Sequence, residues 1–263
     1  MAEEFKATAL AEGVTLIRVH KHDCCVWLVE GKDSALLIDA GLGLAELRAV
    51  VESLTALPYK VVNTHGHGDH SGGNYQFDRV YMHDGSLQGA EAAAELMAPF
   101  AAPEKLEEIR QKIAAHRTEI EFIAEGYVFD LGGRRLEVIG TPGHTSGDIT
   151  LYDRESGLLF CGDSVLKEIP VLLVAAQTVS VACYADSMRK LAALEGVKGL
   201  CTGHDSVIMP RELLLDCLAC AEEILAGTSD GTAVEVRLPD ADPHCMRATH
   251  GDAVLLYREQ QIR

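Results

Sequence analysis

Asn63-Thr64-His65-Gly66-His67-Gly68-Asp69-His70-Ser71-Gly72-Gly73 is the stretch that decides how this chain is read. Its pattern, H-x-H-x-D-H, sets four potential metal ligands on one short loop loosened by glycine. A solvated turn has no physical need of three imidazoles and a carboxylate. A buried turn would have to desolvate each of them, a cost that only a partner offsets. A metal ion is a partner that satisfies all four.

Working outward, three more segments place a ligand-type side chain in a small-residue turn directly after an apolar run. Val138-Ile139 leads into Thr141-Pro142-Gly143-His144-Thr145-Ser146-Gly147, Leu158-Leu159-Phe160 into Cys161-Gly162-Asp163-Ser164, and Gly199-Leu200 into Cys201-Thr202-Gly203-His204-Asp205. Val61-Val62 precedes the His-rich loop in the same way. Short apolar runs that end in Gly, Pro and Asp turns read as buried strands. Ligands carried at strand ends can converge at one edge of a sheet.

With these motifs in this order, the chain resembles the metallo-β-lactamase superfamily from about Val14 to His204. The resemblance implies an α/β (α+β) fold, an αββα sandwich with a metal site at one edge, and one domain over 1–263. It implies that His65, His67 and His144 hold a first metal and Asp69, His70 and His204 a second, with Asp163 bridging both. Asp39 matches a family position near the metal loop, where it would hydrogen-bond a ligand histidine or cap a turn.

The donor set points the same way. Five histidines and two aspartates without cysteine suit zinc first, with iron or manganese as alternatives. Two divalent ions about 3.5–4 Å apart share an oxygen donor, bring a bridging water near neutral pKa and polarise an acyl or phosphoryl oxygen. The sequence holds no G-x-S-x-G elbow that would supply a side-chain nucleophile.

By resemblance, the expected reaction is hydrolysis of a small activated acyl substrate, a thioester or lactone, in the manner of hydroxyacylglutathione hydrolases (glyoxalase II). Asp163 disfavours a β-lactam, since the superfamily's β-lactamases usually carry Cys or Ser there. Arg247, Arg258 and Arg263 form no recognisable match to the basic cluster with which glyoxalase II holds glutathione. The rival is a persulfide dioxygenase-like oxidoreductase with one iron on His65, His144 and Asp163. Asp69 and Tyr184 are the candidate catalytic side chains; several relatives place a tyrosine near the metals where Tyr184 stands. That hydroxyl would donate to a developing oxyanion, or the ring would simply be packed just before a helix.

Composition bounds the setting. The 263 residues carry 40 acidic and 23 basic side chains, a net charge of −17, which disfavours nucleic-acid partners and with them the nuclease and phosphodiesterase branches. Met1–Lys6 shows no secretory pattern and no run approaches a membrane span, so a cytoplasmic protein with a small-molecule substrate and no membrane partner is expected. Eight cysteines scattered in apolar segments read as reduced core thiols, the Cys217-x-x-Cys220 pair among them.

Strands are expected at Val14–Val19, Cys24–Glu30, Ser34–Ala40, Arg79–Met82, Tyr127–Asp130, Arg134–Ile139, Asp148–Asp153 and Leu158–Cys161. Helices are expected at Leu44–Ala56, Ser187–Leu194 and Arg211–Ala226. The segment 84–116 reads as a helical insertion of two helices, with Leu96, Met97 and Phe100 as an apolar wall or lid, or as residues buried under surface helices. The tail, 211–263, adds two short strands, Ala233–Leu238 and Ala253–Tyr257, that extend a sheet or serve a homo-oligomer contact.

Overall fold

The computed structural model describes residues 5–18, 24–91, 102–174, 177–236 and 244–263. They fall into two compact units, residues 1–138 and 139–263.

The first unit is built on a seven-stranded sheet whose spatial order follows the chain: β1 (Lys6–Ala11), β2 (Val14–Arg18), β3 (Val26–Glu30), β4 (Ala35–Ile38), β5 (Tyr59–Val62), β6 (Arg79–Met82) and β7 (Glu119–Phe122). The first four pair antiparallel, and from β4 onward the pairing is parallel. Helix α1 (Leu47–Leu54) makes the crossover between β4 and β5, burying Leu47 and Val51, one turn apart, against Leu37, Val61 and Phe77. Because β4, β5 and β6 run parallel, their carboxyl ends lie at one edge of the sheet, where open α/β sheets place their ligands. The loops there carry Asp39, the His-rich segment and Ser86. Two short helices follow, α2 (Gly68–Ser71) and α3 (Leu87–Glu91), then α4 (Pro103–Ala115), whose proline sits at the first helical position, where its missing N–H costs nothing. A hairpin of β8 (Val128–Asp130) and β9 (Arg135–Gly140) carries the chain onward.

The second unit holds β10 (Ile149–Asp153), β11 (Leu158–Gly162) and β13 (Gly199–Thr202), antiparallel then parallel. A further sheet has the order β12 (Val171–Leu173), β16 (Ala253–Tyr257), β15 (His244–His250), β14 (Thr232–Glu235). Helices α5 (Val181–Ala192) and α6 (Glu212–Ala226) bury Met188, Leu191, Leu214 and Cys217 against Leu159, Leu200 and Leu255. Gly227, left-handed at φ +69°, ends α6 as a glycine can without strain.

Several expected elements are present within a few residues, and Arg79–Met82 and Ala253–Tyr257 have the expected bounds. Four strands went unread: β1 is alanine-rich, β7 alternates glutamate with Ile120 and Phe122, β12 is three residues long, and β15 hides Cys245 and Ala248 in a polar run. The helix expected from Ser187 begins six residues earlier, because Ser180 caps it by accepting from Cys183 N at 3.2 Å. Tyr184 therefore lies inside the helix, not just before it. Leu96, Met97 and Phe100, and Val19 at the end of an expected strand, lie outside the described residues. All eight cysteines are described and none is in a disulfide; only Cys183 is partly exposed. Among the described residues no helix is long and apolar enough to cross a membrane.

Candidate metal centre

In the first unit one loop delivers four donors. His65 and His70 are buried and their rings lie 4.1 Å apart; the ring of His67 stands edge-on to His65 at 4.8 Å. Asp69 is partly open to solvent, with Oδ2 3.6 Å from His70 Nε2. The loop is held from beneath by Asp39, at the end of β4. Its buried carboxylate accepts from His70 Nδ1 at 2.8 Å, from Thr64 N at 2.8 Å and from Thr64 Oγ1 at 2.9 Å. With its hydrogen on Asp39, Thr64 Oγ1 accepts from Nδ1 of His65, 3.1 Å away. One carboxylate thus fixes two imidazoles as Nδ1–H tautomers and leaves Nε2 as the basic atom of each, the arrangement that metal-binding histidines require. Asp39 does this from a left-handed backbone, φ +67°, the sole non-glycine residue of that kind among the described residues.

The loop backbone is equally constrained. Asn63 Nδ2 donates to His70 O at 3.0 Å and is itself oriented by Asn74 Nδ2 at 2.7 Å. A Cβ on Gly66 would stand 2.1 Å from the carbonyl oxygen of Ser86, so only glycine lets the loop approach α3 this closely. Cys24 comes near Asp39 and His70, their ligand-type atoms lying within 4.8 Å of one another.

In the second unit the donors arrive singly, from three strand ends. His144 is buried and its Nδ1 donates to the backbone carbonyl of Leu172 at 2.8 Å, again leaving Nε2 basic. Asp163, at the end of β11, is 7% exposed; its Oδ2 is 3.4 Å from His204 Nε2 and 3.7 Å from His144 Nε2. Asp148 accepts from Thr145 N at 2.8 Å and from Thr145 Oγ1, closing the turn that carries His144. Burial pushes its carboxyl up to about 6, against the pull of His144 and the Thr145 bonds. Tyr184 is fully buried and its hydroxyl donates to the carbonyl of Ser164 at 2.9 Å, so it braces the turn beside Asp163.

The donor separations test whether these residues suit a metal. Nitrogen and oxygen ligands about 2.0–2.2 Å from a tetrahedral ion lie about 3.5 Å apart. The pairs Asp69–His70, Asp163–His204 and Asp163–His144, at 3.6, 3.4 and 3.7 Å, match that edge and are too long for hydrogen bonds. Within each unit, nitrogen and carboxylate donors at ligand spacing fit a divalent ion.

Three supporting residues escaped the sequence reading. Asn63 stands before the motif with nothing to mark it, and Asp148 would have needed its link to Thr145. Asp205, directly after His204, drew no remark either, and it joins two loops of the second unit through Lys167 N and Glu168 N.

Residues 22–204 match the metallo-beta-lactamase superfamily, and the chain belongs to it. It is 34% identical over 163 residues to the human acyl-coenzyme A thioesterase MBLAC2, covering 53% of this chain and 57% of that protein. It is 31% identical over 149 residues to a hydroxyacylglutathione hydrolase of Aeromonas hydrophila, covering 56% and 48%. The chain spans about half the length of these relatives. Solved structures share the fold: a metallo beta lactamase from Erythrobacter litoralis has a TM-score of 0.59 at 24% identity, covering 84% of this chain and 97% of that one. The metallo-beta-lactamase FIM-1 of Pseudomonas aeruginosa in its mono-zinc form has a TM-score of 0.62 at 19% identity, covering 85% and 97%.

Proposed function

We propose that the two units work as one domain, pooling His65, His67, Asp69, His70, His144, Asp163 and His204 into a two-metal centre that hydrolyses a small thioester. The observation that carries this reading is the sulfur-free donor set at ligand spacing, with three histidines held as Nδ1–H tautomers. His65, His67 and His144 would hold one ion and Asp69, His70 and His204 the other, with Asp163 reaching both. Zinc is the first choice of metal, iron and manganese the alternatives; when bound, such ions supply Lewis acidity and hydroxide near neutral pH.

The choice of a thioester rests on the relatives, named as an acyl-coenzyme A thioesterase and a hydroxyacylglutathione hydrolase. In the reaction, a C–O bond forms between the water oxygen and the acyl carbon and the C–S bond breaks. One proton of the water passes to the departing sulfur, giving a carboxylic acid and a thiol. We assign Asp69, the most exposed of the carboxylates in the set, to hold that proton in transit. Tyr184, with its hydroxyl on Ser164, is assigned to hold the Asp163 turn and not to meet the oxyanion.

Loading purified protein with zinc and assaying a small acyl thioester under anaerobic conditions tests the reading. The expected result is turnover with about two ions bound per chain. One equivalent of iron and a strict need for oxygen would transfer the assignment to the dioxygenase class.

A further inference from the structure

Beneath the His-rich loop, within the first unit, lies a second group of donors that shares one imidazole with the seven assigned to catalysis. Sγ of Cys24, a carboxylate oxygen of Asp39 and a ring nitrogen of His70 all lie within 4.8 Å of one another. The three residues are sealed from solvent, at 0%, 1% and 0% exposed. Antiparallel pairing of β3 with β4, which sets Trp27 opposite Ile38, brings the entry to β3 beside the exit of β4. Cys24 stands two residues before β3 and Asp39 directly after β4, so the sheet itself puts them together.

Packing alone does not call for sulfur there. A buried cysteine ordinarily behaves as a small hydrophobe, and Cys24 does join the apolar cluster of Ile17, Leu37 and Val61. Alanine or valine would serve that cluster without setting a polarisable thiol against a carboxylate and an imidazole. Sulfur, nitrogen and oxygen donors at this spacing make a mixed set that suits zinc and its softer congener cadmium.

The fit needs one adjustment. Asp39 Oδ2 and His70 Nδ1 stand 2.8 Å apart because a proton joins them, whereas ligands of one tetrahedral ion stand about 3.5 Å apart, so the pair must part by about 0.7 Å. An entering ion takes the place of that proton and of the thiol proton, and both are released. Cys24 becomes a thiolate. His70 becomes an imidazolate that meets this ion through Nδ1 and keeps Nε2 for a catalytic one. Its hydrogen bond to Asp39, which fixes the ring, is then gone.

We propose that Cys24, Asp39 and His70 form a separate, sulfur-containing site for a thiophilic divalent ion, and that filling it inhibits the enzyme by parting His70 from Asp39. Binding stands on the first unit alone; the inhibition rests on the hydrolase reading. Because all three donors are buried, uptake follows local opening of the loop and is slow.

The test loads the full chain with zinc, then adds cadmium to wild type and to Cys24→Ser and Cys24→Ala, two variants that guard against loss of the fold. Wild type should take up about one further ion per chain without releasing zinc, show an ultraviolet thiolate-to-metal charge-transfer band, and lose thioester turnover as the band grows. X-ray absorption at the cadmium edge should show one sulfur neighbour. Both variants should keep the zinc-supported rate, lose the band and the extra ion, and resist cadmium. Cadmium that only displaces zinc, a wild-type ion without a sulfur neighbour, or a band that survives in the variants would overturn the site. The extra ion and band with turnover unchanged would keep the site and overturn the inhibition. The same ion and band in a zinc-loaded protein that hydrolyses no thioester would keep the site and overturn the hydrolase reading.

Discussion

The two units present metal donors by opposite strategies. In the first, four donors share one loop and are oriented by other side chains: Asp39 beneath His65 and His70, Asn63 and Asn74 beneath the backbone. In the second, three donors come from three strand ends, and His144 leans on a main-chain carbonyl. A dense loop needs a buried polar network because its backbone alone does not determine where each ring points. Donors at strand ends inherit their positions from the sheet. The first arrangement exposes function to substitution at side chains that aim the rings; in the second a main-chain carbonyl aims His144, and side chains such as Asp148 and Tyr184 close or brace the turns.

Substitutions can break that contrast. The largest effect is expected at Asp163, assigned to both ions: Asp163→Ala should lose one or both metals and all measurable turnover, and full metal content by elemental analysis would refute the bridging assignment. Next is Asp39→Ala, expected to lower metal affinity about 10–100-fold in a chelator competition. Its counterpart in the second unit, Leu172→Ala, leaves the carbonyl that receives His144 and should change affinity by no more than a few-fold; equal losses in both would erase the distinction between the units.

Gly66→Ala should destabilise the protein by about 1–3 kcal/mol in a denaturant titration, since the methyl has no room beside Ser86. A neutral result would mean that the approach of the metal loop to α3 is not fixed. The smallest effect is expected for Tyr184→Phe, about 1 kcal/mol of stability for one buried hydrogen bond, with the rate nearly unchanged. A loss of about 2.7–4 kcal/mol in transition-state stabilisation would restore Tyr184 as an oxyanion donor.

The same contrast explains what could be read from the sequence. H-x-H-x-D-H is legible because four donors within six positions have no other physical use. His144, Asp163 and His204 became legible by resemblance, each being a single residue in a small-residue turn. A bond from Asp39 to a ligand histidine was legible by resemblance as one of two readings; the structure puts it on His70, where parallel pairing of β4 and β5 brings their ends together. Asn63 and Asp148 were invisible, since a buried amide or carboxylate looks like a surface one until its partner is known. The missed strands fail for a related reason: β7 pairs with β6, far back along the chain, and β15, though its partners β14 and β16 are its neighbours in sequence, spreads few apolar residues through a polar run.

The cysteines have a practical consequence. None of the seven proposed ligands is a thiol, yet seven cysteines are sealed in the interior, spread from Cys24 to Cys245, and Cys183 alone is half-accessible, with burial raising its pKa. An alkylating reagent added under native conditions should therefore mark Cys183 slowly and the others only as each region opens. The chain carries its own set of clocks, and reading them by peptide mass would time the opening of each unit without any label introduced by mutation.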